Sequence, residues 1–90
     1  MKKNSEQYFF GELRELLKEK FSFQYDLLEL ETDLERDLAF DSRDFFEFLD
    51  NLEEKFQIEL DSDKVDYLLR NYQLNTLQDI VSLIKATIAK

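Results

Sequence analysis

Asp41-Ser42-Arg43-Asp44-Phe45-Phe46-Glu47-Phe48-Leu49-Asp50-Asn51-Leu52-Glu53-Glu54-Lys55-Phe56, residues 41–56, is the stretch that decides the fold. Phe45, Phe48, Leu49, Leu52 and Phe56 recur at helical spacing and share one face of a 3.6-residue period. Arg43, Asp44, Glu47, Asp50, Asn51 and Glu54 make the opposite face, and every one is polar. The pattern is an amphipathic helix that must bury one side against a core. Asp41 and Ser42 are both capping types, so the helix opens at one or the other and runs to about Phe56.

Working outward, Ile58 and Leu60 lead into Asp61-Ser62-Asp63, a capping cluster, and a short helix follows from about Asp63 to Leu69 with Val65, Leu68 and Leu69. A last helix starts at Asn75 or Thr76 and carries Leu77, Ile80, Val81, Ile84 and Ile88 on its apolar stripe. Upstream, Phe9, Leu13, Leu16 and Leu17 define a first helix from Asn4 or Ser5 to about Lys20. Residues 21–41 hold Phe21, Phe23, Tyr25, Leu27, Leu28 and Leu30 without a sustained helical period. They read as a long loop with one short helical turn, pinned to the core by its apolar side chains. A loop of ~20 residues in a compact domain is unusual and tends to carry function. The expected architecture is all-α: a four-helix bundle with a long first loop and a short third helix, one domain over residues 1–90.

Composition supports this and narrows the function. Leu occurs 16 times against 2 Val and 4 Ile, Pro is absent and Gly11 stands alone, so helix formers dominate. Twelve basic residues against 21 acidic ones leave a charge of −9. Such a polyanion repels phosphate backbones and anionic lipid, which argues against a nucleic-acid or membrane-surface partner. With no Cys and no His, disulfides, the usual zinc sites, thiol nucleophiles and imidazole-dependent triads are excluded. A single glycine leaves no phosphate-cradling loop. Residues 1–7 turn polar where a signal peptide needs its apolar stretch, and charges interrupt every apolar run before the ~18 residues of a span. A cytoplasmic monomer is expected.

The stretch before and within the second helix resembles the acyl carrier protein family. Thr32-Asp33-Leu34-Glu35-Arg36-Asp37-Leu38-Ala39-Phe40-Asp41-Ser42 is similar to that family's D-L-x-x-D-L-G-x-D-S-L, matching at Asp33, Leu34, Asp37, Leu38, Asp41 and Ser42. Glu53, Glu54, Phe56 and Ile58 match the phrase E-E-x-F-x-I-x-I that ends the family's second helix, and residues 76–84 look like its final helix. Three departures stand out. Ala39 replaces the family's Gly, which suggests a backbone kept at negative φ or modestly strained. Arg43 replaces the Leu after the serine, and Asp50 stands where the family often has an exposed apolar residue.

The resemblance implies a non-catalytic carrier, with a 4′-phosphopantetheine arm attached covalently at Ser42, beside Asp41, and acyl or aminoacyl groups held as thioesters at its tip. The residues are compatible. Ser42 has only Asp41 and Asp44 beside it and no base to activate it, so it is no self-activated nucleophile. A helix start offers exposure and a backbone end that favours an anion. The implied partners are a phosphopantetheinyl transferase and acyl-loading and acyl-processing enzymes with basic docking patches. Those patches would meet the acidic face of the second helix, where Arg43, Asp44, Glu47, Asp50, Glu53 and Glu54 are the candidate partner-binding residues. Arg43, Asp50 and Ala39 point to a specialised pathway, and the ring-filled apolar face points to short or polar cargo.

Other readings use the same residues. Ser42 alone reads as an ordinary helix cap, and the acidic face as a solvated surface. Asp33, Glu35, Asp37, Asp41 and Asp44 have the spacing of a calcium loop, but Leu38 stands where its turn needs Gly, and Asp44 where a bidentate Glu closes it. No dedicated metal site is expected. An acidic helical inhibitor or nucleic-acid mimic fits the size and charge as well as a carrier does, but has no use for a serine at that helix start. A carrier-like subunit that is never modified is the third alternative.

Overall fold

In the computed structural model, which describes residues 6–89, the elements are α1 (Glu6–Phe21), a 3-10 turn (Tyr25–Leu27), α2 (Ser42–Phe56), α3 (Ser62–Arg70) and α4 (Leu77–Ile88). There are four α-helices and no strand among these residues, as the periodicities predict. Asn4 and Ser5, the expected caps of α1, lie outside the described residues. Among those described, no helix is long and apolar enough to cross a membrane.

Local chemistry sets the helix starts. The Asp41 carboxylate accepts from Asp44 N–H at 2.9 Å, and Asp44 returns the bond to Asp41 N–H at 3.2 Å, closing a capping box on α2. Thr76 and Asp79 form the same device on α4. Asp61 caps α3 by accepting from Asp63 and Lys64 N–H. The ends of α1, α2 and α3 turn through left-handed residues, Ser22 (φ 63°), Gln57 (φ 54°) and Tyr72 (φ 55°), a conformation that glycine adopts without cost and that these side chains adopt under strain.

One hydrophobic cluster joins the helices. Phe9, Leu13, Leu16 and Leu17 of α1 meet Phe45, Phe48, Leu49 and Leu52 of α2, Val65 of α3 and Leu77, Ile80, Val81, Leu83 and Ile84 of α4. On α4 the buried face is turned slightly from the expected one: Leu83 is buried, and Ile88 lies exposed in the last turn.

The loop over residues 22–41 is ordered by three sets of contacts. Leu28, Leu34 and Phe40 are buried, and Phe40 packs against the rings of Phe21, Phe23 and Phe48 at centroid distances of 5.1, 6.1 and 5.8 Å. The Arg14 guanidinium lies between the rings of Phe10 (4.5 Å) and Tyr25 (4.1 Å), fastening the 3-10 turn to α1. Finally, the Thr32 and Leu30 carbonyls accept from Leu77 and Gln78 N–H, and Leu34 N–H donates to Asn75 carbonyl at 2.8 Å. The loop thus satisfies free N–H groups at the start of α4, which would otherwise need solvent or a side chain.

Candidate functional site

The Asp33–Leu38 segment is a capped helical turn that delivers the chain to α2. Asp33 Oδ1 accepts from Glu35 and Arg36 N–H, both at 2.9 Å, while Asp37 Oδ2 accepts from Asp33 N–H at 2.7 Å. Asp33 and Asp37, two of the three aspartates that match the family pattern, therefore build the turn, and Asp37 N–H donates back to the Asp33 carbonyl at 2.9 Å. Their carboxylates are spent on backbone groups, and among the described residues no three carboxylates gather into a metal-binding group.

Ala39 ends this turn at φ 58°, in the left-handed region. The negative-φ expectation is thereby corrected, and strain is the reading that stands: the chain must reverse here so that Phe40 enters the core while Asp41 reaches α2. Ala39 is exposed, so its methyl group contributes no packing to offset that strain. Ala39→Gly is expected to stabilise the fold by about 0.5–1 kcal/mol, the relief of left-handed strain exceeding the entropy glycine adds to the unfolded chain. A thermal melt checks this, and an unchanged or lower Tm counts against strain at Ala39.

Asp41 is the cap of α2, and Ser42 is its first helical residue. This separates the two roles that the sequence left combined. The capping hydrogen bonds run through Asp41 and Asp44, and the exposed Ser42 hydroxyl makes no hydrogen bond among the described residues. The Asp44 N–H bond holds the Asp41 carboxyl below its ordinary value of 3.8; desolvation opposes this, and the Asp44 side chain and the Arg43 charge add to the lowering. A carboxyl with a lowered folded pKa contributes stability that is complete above its unfolded value and is lost as pH falls through the folded one. The start of α2 should therefore keep its cap from neutral pH down to about 4 and weaken only below that. Asp41→Ala should lower Tm at pH 7, with the difference from the parent shrinking below about pH 4; a constant difference at every pH would show that the charge is not involved.

Beside Ser42 lies an open cleft of about 220 Å³. Its floor is apolar, with Phe40, Phe45, Leu69 and Leu74, and Asp33, Glu35 and Asp41 stand at its rim. Two exposed rings flank it: Phe46, one turn after Ser42 on α2, and Tyr72, from the α3–α4 connection. Phe46 could have been found from its four-residue spacing to Ser42. Tyr72 could not, because nothing local ties it to α2. A second open cleft, about 310 Å³, separates α2 from α3 and shares Phe46. The rings of the α2 core face leave their space at the surface of the core, on either side of Phe46.

The remaining candidates divide by how freely they are held. Arg43, Glu47, Asp50 and Glu54 are exposed. The two ion pairs among the described residues are Lys55–Glu12 and Arg70–Asp66, so Arg43 is not paired with Glu47. Asp44 is engaged in the capping box. Glu53 is half-buried, and its Oε2 accepts from Leu60 N–H at 2.8 Å, fastening the α2–α3 connection.

A 4′-phosphopantetheine arm fits this arrangement. The exposed hydroxyl of Ser42 is not committed to capping, it sits at the positive end of a helix, and a cleft opens beside it. Comparison with known proteins agrees. The family model described as a phosphopantetheine attachment site matches residues 11–84. An acyl carrier protein of Lactobacillus acidophilus is 30% identical over 82 residues, spanning 91% of this chain and 95% of that one. One from Trieres chinensis is 28% identical over 81 residues, spanning 90% and 94%. One from Cyanophora paradoxa is 32% identical over 76 residues, spanning 84% of this chain and 68% of the relative. Since the family match extends from α1 to α4 and takes in the whole of the loop and α2, this chain belongs to the acyl carrier protein family, as a carrier of covalent phosphopantetheine and not a catalyst.

Proposed function

We propose that Ser42 is the attachment point and that the protein presents acyl or aminoacyl thioesters to the enzymes of a specialised pathway, as a cytoplasmic monomer. The observation that carries the assignment is the division of labour at α2: Asp41 caps, and Ser42 is left exposed with no hydrogen-bond partner among the described residues. When attached, the arm supplies the thiol that a Cys-free chain lacks. The chain's own contribution is to hold the attachment oxygen at a fixed helix start, to offer a cleft beside it and to present a docking face. Short cargo is favoured by the packed rings of the α2 core face, Phe45 and Phe48, which would have to part to admit a long chain. Incubation with coenzyme A and a phosphopantetheinyl transferase should add about 340 Da to the intact mass. An unchanged mass with an active transferase would favour the unmodified-subunit reading.

The docking face consists of Glu47, Asp50 and Glu54 on the exposed side of α2, with Arg43 at its Ser42 end and Asp44 and Glu53 more tightly held at its border. Basic patches on partner enzymes complement it. Phe46 adds an apolar contact one turn from Ser42, so recognition is not purely electrostatic. Arg43 supports the specialised reading: an exposed cation with no ion-pair partner among the described residues is available for an acidic residue on a cognate enzyme and costs a partner that would bury it unpaired. Arg43→Leu is expected to raise turnover with general fatty-acid enzymes, lower it with the cognate enzyme and reduce the salt dependence of cognate binding. Steady-state kinetics with both partners at two ionic strengths checks this; equal kinetics before and after substitution would remove the case for a specialised partner.

A further inference from the structure

The long loop carries a recess of its own, unused by the reading above. Phe23, Leu27, Leu28 and Leu38 line one side of an open cleft of about 530 Å³, and Ser22, Gln24, Thr32 and Asp37 are its polar lining residues. It shares no lining residue with the cleft at Ser42. The loop around it is well held, by the Arg14–Tyr25 stack, by the Phe40 ring cluster and by hydrogen bonds into α4. Even so, Leu27 is 70% exposed. A bulky apolar side chain left in water on an ordered segment, beside the apolar side of a recess formed with Phe23, Leu28 and Leu38, offers area that a partner gains by covering.

Charge identifies what covers it. Residues 22–40 hold six carboxylates, Asp26, Glu29, Glu31, Asp33, Glu35 and Asp37, against the single base Arg36. Neither of the ion pairs among the described residues involves this segment. A second copy of the chain, carrying −9, would be repelled, and so would an anionic lipid surface. We propose that the recess docks a cationic segment of a partner protein, which places a bulky apolar side chain against Leu27 while its Lys or Arg residues meet Asp26, Glu29 and Glu31. Leu38 is four residues from Ser42, at most about 14 Å of extended chain, so a partner held here stays close to the arm without occupying the cleft at Ser42. Its effect is to raise the local concentration of a second contact on α2.

The test uses a synthetic amphipathic helical peptide with Leu on one face and Lys on the other, titrated into the isotopically labelled full chain while amide resonances are followed. The arm is not needed, so the result stands apart from the assignment of Ser42. Shifts should concentrate at residues 23–32 and at Leu38. Leu27→Ser, at an exposed position that leaves the fold intact, should weaken binding about 10-fold. The double charge reversal Glu29→Lys with Glu31→Lys should also weaken it, and more so at low salt. A peptide with Ala in place of Leu should bind far less tightly. Shifts confined to Glu47, Asp50 and Glu54, unchanged affinity for Leu27→Ser, or equal binding of the Ala peptide would each overturn the proposal. So would loop shifts that grow with protein concentration alone, or that anionic vesicles reproduce.

Discussion

Ser42→Ala is expected to abolish arm transfer completely, so that a phosphopantetheinyl transferase and coenzyme A leave the intact mass unchanged where the parent gains about 340 Da. The size of this effect follows from chemistry: the attachment bond needs a hydroxyl oxygen, and alanine supplies none. The structure adds the control that makes the result interpretable. Because the capping box runs through Asp41 and Asp44, loss of the Ser42 hydroxyl removes no hydrogen bond from the start of α2. Helicity and Tm should therefore stay close to the parent's. If Ser42 were itself the cap, the same substitution would shorten α2 and the loss of transfer could be blamed on misfolding. Transfer to the alanine variant, or a label appearing on Ser62 or Ser82, would contradict the assignment.

Phe48→Ala should produce the largest change in stability. Phe48 is fully buried on α2, with its ring edge-on to Phe21 at 6.1 Å and to Phe40 at 5.8 Å, so one side chain ties together α2, the end of α1 and the loop that leads to Ser42. Truncating a buried phenylalanine costs about 3–5 kcal/mol, a large part of the ~5–15 kcal/mol that holds a domain folded. At about 4–8 °C per kcal/mol for a chain of this size, Tm should fall by more than about 12 °C. The loop should loosen first, because Phe40 loses a ring partner and keeps Phe21 and Phe23, both only half-buried. Hydrogen exchange should show amides of residues 34–40 losing protection ahead of those in α1 and α4. A loss spread evenly over the chain would instead show that loop and helices open as one unit.

How much was legible in the sequence depends on the range of the forces involved. The helix starts at Asp41, Asp61 and Thr76 were readable within a residue or two, because a cap is a contact between a side chain and an N–H two or three residues away. The buried faces of α1 and α2 were readable for a similar reason: residues three and four apart share a face whatever the rest of the chain does. The end of α4 was less so. There the sequence pattern favours Ile88 as readily as Leu83, and only the position of the neighbouring helices buries Leu83 and leaves Ile88 in solvent.

The candidate site divides in the same way. Asp41, Ser42 and the acidic face of α2 are local to one helix and its approach, and the sequence by itself determined their order and spacing. Tertiary structure decided the rest. It set Ala39 in the left-handed region, because the chain must reverse there to bury Phe40. It took Glu53 partly away from the exposed face to hold Leu60 N–H, and left Arg43 without the ion pair its spacing to Glu47 allows. It brought Tyr72 from the α3–α4 connection to the cleft at Ser42, and tied the loop to Arg14 and to the first turn of α4. Each of these joins groups distant along the chain, and their meeting depends on how four helices and one long loop share a single core. No spacing rule within a segment can specify that, because it is set by the packing of all the segments together.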